Sequence, residues 1–152
     1  RMQATPLHMA LAAGAVGEGR AIAPRLLLEL DGAQARSEPG AKLGVRLDRI
    51  RAGLRGVVAH GTAAGAFRAP EFDGLRAGLY GKTGTAPVGD AGLATVWFTG
   101  WLEPGSLPGQ DRRLAFAAFV SRSDATGGEH AAPVVAALLR SMLAQKPEQK
   151  GN

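Results

Sequence analysis

One short segment of the sequence brings together side chains that could bind an anion. Residues Leu79–Ala86 read LYGKTGTA and place Lys82 beside the hydroxyls of Thr83 and Thr85. The two threonines are two residues apart, so in a strand both hydroxyls point to the same face. The segment is otherwise typical of a buried strand, and an ionised ammonium is costly to bury without a compensating charge. We therefore expect an anionic ligand at Lys82.

A phosphate-binding loop also places a lysine after a glycine, but its spacing does not fit this chain. That motif needs a glycine five positions before the Gly-Lys pair, where this sequence has Arg76. Its lysine also opens a helix, whereas Ala86-Pro87 closely follows Lys82 and is followed by further glycines. The sequence therefore argues against a phosphate loop.

Two interpretations of the segment remain open on the residues alone. Lys82 could be an ordinary edge-strand residue whose ammonium reaches solvent, with Gly81 and Gly84 serving only packing. Alternatively, the glycines let an extended peptide pair with the strand edge, so that its terminal carboxylate meets Lys82 and the threonine hydroxyls. The second interpretation is favoured because two glycines weaken a strand and because the other lysines fall in predicted loop or tail segments: Lys42, Lys146 and Lys150.

The elements that would position these residues are three successive strands. The pattern of apolar residues predicts strands over Gly78–Ala86, Ala94–Leu102 and Arg113–Ser121. Their connections, Pro87–Gly92 and Glu103–Gln110, are too short for a parallel crossover, so we expect an antiparallel meander. Both faces of the middle strand are largely apolar, which predicts that the sheet is covered on both sides.

Helices are predicted on either side of these strands. Thr5 is an expected N-cap, with Pro6 at the first helical position. Apolar residues at helical spacing predict a second helix over Leu47–Val58 and a last helix over Ala131–Ala144, which has Pro133 in its first turn. Two packing rows are possible for the last helix, Val134, Leu138 and Met142 or Val135 and Leu139.

A β-hairpin is predicted between the first two helices. Arg25–Leu30 reads RLLLEL, Ala33–Ser37 follows, and Asp31-Gly32 between them supplies the positive φ that a tight turn needs. We therefore expect two short antiparallel strands here.

The composition limits the class of protein. The chain has 152 residues, of which 45% are apolar, and this length fits one domain or part of one. Its net charge of +5 comes from dispersed arginines without a basic run, which argues against nucleic-acid binding. The absence of cysteine excludes disulfides and thiolate metal sites, and we expect no cofactor and no metal. No apolar stretch is long enough to span a bilayer.

Lys82–Ala86, KTGTA, resembles the KTG motif of penicillin-binding proteins and serine β-lactamases, and this form is more similar to the penicillin-binding transpeptidases. Three more segments resemble segments of those transpeptidases in the same order, namely a helix after the S-x-N region, the helix before KTG and the strand after it: Ala4–Leu11 (ATPLHMAL), Arg55–Ala63 (RGVVAHGTA) and Val96–Pro104 (VWFTGWLEP). The resemblance implies an α/β fold of the α+β type, part of the β-lactamase/transpeptidase-like fold, in which helices cover both faces of an antiparallel sheet.

The resemblance also implies roles for the segment. Lys82 would organise protons and charge around a serine nucleophile. Thr83 and Thr85 would hold the carboxylate of a peptidoglycan stem peptide ending in D-Ala-D-Ala, or of a β-lactam antibiotic. The N–H of Thr85 would be one oxyanion donor, and Gly84 would keep the strand edge open.

Two other motifs of that family are missing from this sequence. The S-x-x-K motif is missing because none of the serines has a lysine three positions later. The S-x-N motif is missing because the only asparagine, Asn152, has Lys150 two positions before it. We therefore expect residues 1–144 to be the C-terminal portion of a transpeptidase domain, inactive alone and followed by a flexible tail at 145–152. The N-terminal portion, in the same or a separate chain, would supply the nucleophile.

Two alternatives to a transpeptidase stay open, namely a non-enzymatic β-lactam sensor or degenerate binding module, and a serine β-lactamase. The family resemblance implies a periplasmic or extracytoplasmic location, with a membrane anchor that lies outside this chain.

Structural roles are predicted for the other noteworthy residues. His8 and His60 are expected on helices, and His130 at the start of the last one. We expect core positions for Trp97 and Trp101, and a solvated helix face for three arginines, Arg46, Arg49 and Arg55.

Overall fold

The computed structural model describes residues 3–24, 29–30, 33–34, 40–89 and 92–145. Its helices are α1 (Pro6–Glu18), α2 (Asp48–Ala59), α3 (Asp73–Arg76) and α4 (Ala132–Ala144), and its strands are β1 (Glu29–Leu30), β2 (Ala33–Gln34), β3 (Leu79–Val88), β4 (Leu93–Leu102) and β5 (Leu114–Ser123). Two short 3₁₀ helices, Ala64–Phe67 and Pro70–Phe72, and a π-helical turn, Gly127–Ala131, complete the described elements.

The three long strands form an antiparallel meander in the order β3-β4-β5, as predicted. In the β3–β4 ladder Lys82 is opposite Thr99 and Gly84 is opposite Trp97. Strand β3 begins one residue later and ends two residues later than expected, and it includes Pro87. Proline is tolerated there because β3 is at the edge of the described sheet, where a missing N–H costs least.

The main core lies on the face of the sheet that carries Val96 and Phe98 of β4. The two 3₁₀ helices contribute Phe67 and Phe72, whose rings meet edge to face at 5.6 Å. Helix α4 adds Val135 and Leu139, both buried, whereas Val134 and Leu138 are about half exposed. Of the two rows predicted for α4, the structure therefore selects Val135 and Leu139.

Helix α1 covers the opposite face of the sheet, against β4 and β5. As predicted, Thr5 is its N-cap. The Thr5 Oγ1 accepts a hydrogen bond from the His8 amide, and the His8 Nδ1 accepts one from the Thr5 amide. Gly17 lets the helix approach closely, since a Cβ there would be 2.7 Å from Arg113 Cδ and 3.1 Å from the indole of Trp101. Helices thus cover both faces of the sheet, as predicted for this fold class.

Helix α2 forms where expected, and two of its arginines bind carbonyls of neighbouring segments. Arg51 donates to the carbonyls of Val16 and Gly17 at the end of α1 at 2.8–3.1 Å. Arg55 donates to the carbonyl of Arg76 at 2.6 Å. The prediction that Arg55 belongs to a solvated face is therefore wrong, because its guanidinium binds a neighbouring segment.

The predicted hairpin is described in part. Strands β1 and β2 are antiparallel, with Glu29 opposite Gln34 and Leu30 opposite Ala33. The remaining residues of the predicted strands and turn, 25–28, 31–32 and 35–37, and the predicted tail at 146–152 lie outside the described residues. In the described ranges no helix combines the length and the apolar character needed to cross a bilayer.

Candidate functional site

Lys82 lies in the middle of β3, and its side chain is exposed. Within the described residues, β4 is the strand that pairs with β3, and the second edge of β3 carries no partner strand. The Lys82 Nζ donates to the backbone carbonyl of Thr83 at 2.6 Å. The prediction that Lys82 occupies a buried strand is therefore wrong: burial along β3 ends at Gly81, and solvent reaches the ammonium.

Lys82 and the two threonines point to opposite faces of the sheet. Thr99, opposite Lys82, has its Oγ1 3.1 Å from the carbonyl oxygen of Met9 in α1, so this face is the one that α1 covers. Thr83 is opposite Phe98, a residue of the main core, and alternation places Thr85 on the same side. A ligand can therefore meet the ammonium and both hydroxyls together only along the open edge of β3.

The hydroxyl of Thr83 has a close neighbour from another element. Its Oγ1 is 2.7 Å from the Oγ1 of Thr62, which follows α2 in the chain. Thr83 is half-buried, whereas Thr62 and Thr85 are exposed. The Thr85 side chain is thus open to solvent, and that of Thr83 is already engaged in a hydrogen bond.

A cleft of about 410 Å³ lies beside the edge of β3, between this strand and the start of α1. Its lining residues come from the KTG strand, from β4 and from the α1 region: Lys82, Thr83, Gly84, Thr85, Ala86, Trp97, Thr99, Ala4 and Met9. The lining is mostly apolar, with Lys82 and the threonines as its polar residues, which is the usual composition of a site for a small organic ligand. The cleft therefore includes all four predicted site residues.

The glycines of β3 differ in what they accommodate. A Cβ at Gly81 would overlap the ring of Phe98, so glycine there is a packing requirement. A Cβ at Gly84 would lie 3.5 Å from Trp97 Cβ, an ordinary van der Waals distance. The residue that must be glycine for close packing against Gly84 is Gly127 of the π-helical turn. A Cβ on Gly127 would be 2.7 Å from the Gly84 carbonyl oxygen.

The π-helical turn is itself fixed by a capping box. Glu129 accepts hydrogen bonds from the Thr126 amide at 2.9 Å and from the Thr126 hydroxyl at 2.7 Å. These hydrogen bonds, that of the amide above all, hold the pKa of Glu129 below its ordinary value. The turn that backs the KTG strand is therefore stabilised by an ionised carboxylate.

The two tryptophans have different environments. Trp101 is fully buried, as predicted, and stacks on Tyr80 with ring centroids 4.6 Å apart. Trp97 is half-buried, stacks on Phe119 at 5.0 Å and lines the cleft. The prediction of a core position is therefore wrong for Trp97, which presents an aromatic wall to any ligand on the edge of β3.

The histidines lie away from the cleft lining. His8 caps α1, and His60 follows the last residue of α2 and is exposed. His130 lies in the π-helical turn with its Nδ1 2.8 Å from the Oγ of Ser123. Ser123 is buried and also receives the Ala125 amide, so its hydroxyl is a structural partner of the turn. Among the described residues, no group of three or more potential metal ligands comes together.

Sequence reasoning gave Thr62 and Gly127 no role, although both contact the KTG strand. Thr62 belongs to the segment RGVVAHGTA, which was singled out only for its family resemblance. Gly127 follows Thr126, and the spacing Thr-x-x-Glu to Glu129 is a capping-box signal that could have been recognised. Neither pattern predicts that Thr62 or Gly127 contacts the KTG strand.

A comparison with models of protein families finds a match over most of the chain. The model described as penicillin binding protein transpeptidase domain matches residues 2–140. No curated protein and no solved structure matches the chain.

Proposed function

This chain belongs to the penicillin-binding protein transpeptidase family, and we propose that it is the KTG-bearing portion of a D,D-transpeptidase that crosslinks peptidoglycan stem peptides. The observation that carries the proposal is the open edge of β3, where Lys82, Thr83 and Thr85 all line one cleft. The substrate would be a stem peptide ending in D-Ala-D-Ala, and β-lactam antibiotics would occupy the same edge.

The edge of β3 suits an extended peptide that ends in a carboxylate. Such a peptide can add to the sheet as a further strand, because the backbone groups on this edge lack a partner strand within the described residues. Its carboxylate would then accept hydrogen bonds from the hydroxyls of Thr83 and Thr85. The exposed ammonium of Lys82 would complement the negative charge from the other face.

The same strand would take part in acyl transfer. A serine Oγ would attack the carbonyl carbon of the penultimate D-Ala, the bond to the terminal D-Ala would break, and an acceptor amine would later displace the serine from the ester. The N–H of Thr85 would donate to the oxyanion that forms in each step. Removal of one such donor typically lowers the rate by about 10²–10³, or about 3–4 kcal/mol.

The nucleophilic serine of this reaction would come from a part of the domain outside this chain. The support is that no serine here has a lysine three positions later. We further propose that the complete protein works on the extracytoplasmic side of the cell membrane, where peptidoglycan is assembled, with its anchor in a segment outside this chain.

Fluorescent penicillin provides the test of this function. The complete protein would be labelled, digested, and the acylated peptide identified by mass spectrometry. We expect label on a serine outside residues 1–152, and label on a serine within them would contradict the proposal. An acyl adduct that forms without any crosslinking of stem peptides would instead indicate a β-lactam sensor, whereas rapid hydrolysis of the adduct would indicate a β-lactamase.

The electrostatic role of Lys82 has its own test. Lys82→Ala in the complete protein should slow acylation strongly, since the substrate carboxylate would lose its nearest lysine. Lys42→Ala is the matched control, because Lys42 is also exposed and does not line the cleft. Equal acylation rates for Lys82→Ala and the unchanged protein would exclude the role.

A further inference from the structure

We propose that Thr62 is a positioning residue for carboxylate recognition, which orients the hydroxyl of Thr83 towards the ligand. This inference rests on the proposed function, since it concerns the same edge of β3. Thr62 does not line the cleft. It would act through Thr83.

The argument starts from the distance of 2.7 Å between the two Oγ1 atoms. One hydroxyl must donate to the other at this distance. When Thr62 donates, the proton of Thr83 is free, and the lone pair facing Thr62 is occupied. The Thr83 hydroxyl is then a donor towards the edge of the strand, which is what a carboxylate ligand requires because it can only accept.

Thr62 can orient its partner because its own backbone is fixed on both sides. The amide of Gly61 donates to the Gly56 carbonyl at 2.8 Å, and the amide of Ala63 donates to the Val57 carbonyl at 3.1 Å. Both acceptors belong to α2, so the corner that carries Thr62 is attached to a regular helix.

The π-helical turn closes this corner from the other side. A Cβ on Gly128 would overlap the carbonyl oxygen of Thr62, and a Cβ on its neighbour Gly127 would approach the backbone of Gly84. One turn thus packs against both the Thr62 corner and the KTG strand. Backbone contacts among α2, the π-helical turn and β3 therefore hold in place the two segments that carry these hydroxyls.

The hydrogen bond is not needed to satisfy buried groups. Thr62 is exposed and Thr83 is half-buried, so water can replace either partner. Loss of the Thr62 hydroxyl should therefore affect stability little, because the large penalty applies to groups left unpaired away from water. When Thr62 donates, the direct bond leaves the Thr83 proton oriented towards the ligand.

The test compares Thr62→Val and Thr62→Ser in the complete protein, with benzylpenicillin and its methyl ester as acylating probes. Valine keeps the shape and removes the hydroxyl, whereas serine keeps the hydroxyl. We expect Thr62→Val to acylate about five- to tenfold more slowly with the free acid and within about twofold of the unchanged protein with the ester, at the same unfolding temperature within about 2 °C. Thr62→Ser should restore most of the rate with the acid.

A double-mutant cycle separates this role from a general packing effect. In a Thr83→Val background, Thr62→Val should cause no additional loss, since Thr62 would act only through the Thr83 hydroxyl. Equal losses for acid and ester, an undiminished rate in Thr62→Val, or additive losses in the cycle would overturn the inference while leaving the proposed function intact. Failure of the unchanged protein to be acylated by benzylpenicillin would overturn both.

Discussion

Gly127 lies directly against the backbone of Gly84. A Cβ atom on Gly127 would be 2.7 Å from the Gly84 carbonyl oxygen and 3.1 Å from its amide nitrogen, and it would overlap the carbonyl oxygen of Trp97. The π-helical turn before α4 therefore packs on the KTG strand with no side chain between the two backbones. The position of the strand edge depends on a residue more than forty positions later in the chain.

Substitution of Gly127 should disturb both stability and ligand binding. Gly127→Ala forces a shift of the turn or of the KTG strand, and we expect a loss of about 1–3 kcal/mol in the free energy of unfolding. Penicillin acylation should slow as well, because the strand edge moves. Urea unfolding and acylation rates measure the two effects. Gly53→Ala, in an exposed part of α2 with no atom within 4 Å, is the control and should stabilise the protein by about 0.5–1 kcal/mol.

Two adjacent leucines of α4 provide a matched pair for the core. Leu139 is fully buried, whereas Leu138 is 52% exposed. Leu139→Ala should reduce the free energy of unfolding by about 2–5 kcal/mol, because it leaves a cavity against the sheet. Leu138→Ala should change it by less than about 0.5 kcal/mol. Similar losses for the two variants in urea unfolding would contradict the observed orientation of α4.

Arg113 connects α1 to the sheet through two carboxylates. Its Nη1 is 2.6 Å from Glu18 and its Nη2 is 2.6 Å from Glu103. Although burial alone would lower the pKa of Arg113, the two acids outweigh it and raise that pKa. Arg113→Ala should cost about 1–3 kcal/mol in unfolding free energy, since both the ion pairs and the packing on Gly17 are lost.

Two further variants control for charge and for geometry at this position. Arg112→Ala removes the neighbouring exposed arginine and should change the unfolding free energy by less than about 0.5 kcal/mol. Arg113→Lys keeps the charge without the planar fork and should recover only part of the stability. Full recovery in Arg113→Lys would show that charge alone accounts for the effect.

The capping box of the π-helical turn predicts a pH dependence. Because the pKa of Glu129 is lowered in the folded protein from an ordinary value of 4.5, its stabilisation is fully present above about pH 4.5 and is lost as the pH falls through the lower folded value. Glu129→Gln should therefore reduce stability above pH 4.5 and flatten its pH dependence below that value. Thermal unfolding from pH 3 to 7 measures this, and an unchanged acid slope in Glu129→Gln would contradict the prediction.

The sequence by itself determined the features that depend on near neighbours. Thr5-Pro6 fixed the start of α1 because an N-cap and a first-turn proline act within a few residues. The alternating apolar residues and short connections determined the antiparallel meander, since strand period and loop length are local properties. The KTGTA motif and its companion segments pointed to the family that the residue 2–140 match shows.

Only the tertiary structure decided what the candidate site contacts. The exposure of Lys82 follows from its place on an edge strand, and the choice of Val135 and Leu139 follows from which face of α4 meets the sheet. Thr62 and Thr83 are 21 residues apart, and Gly127 and Gly84 are farther still. Such pairs are formed by the packing of whole helices and strands, which no local spacing encodes. The sequence could name the KTG residues, but the residues that hold them in place became visible only when the elements packed together.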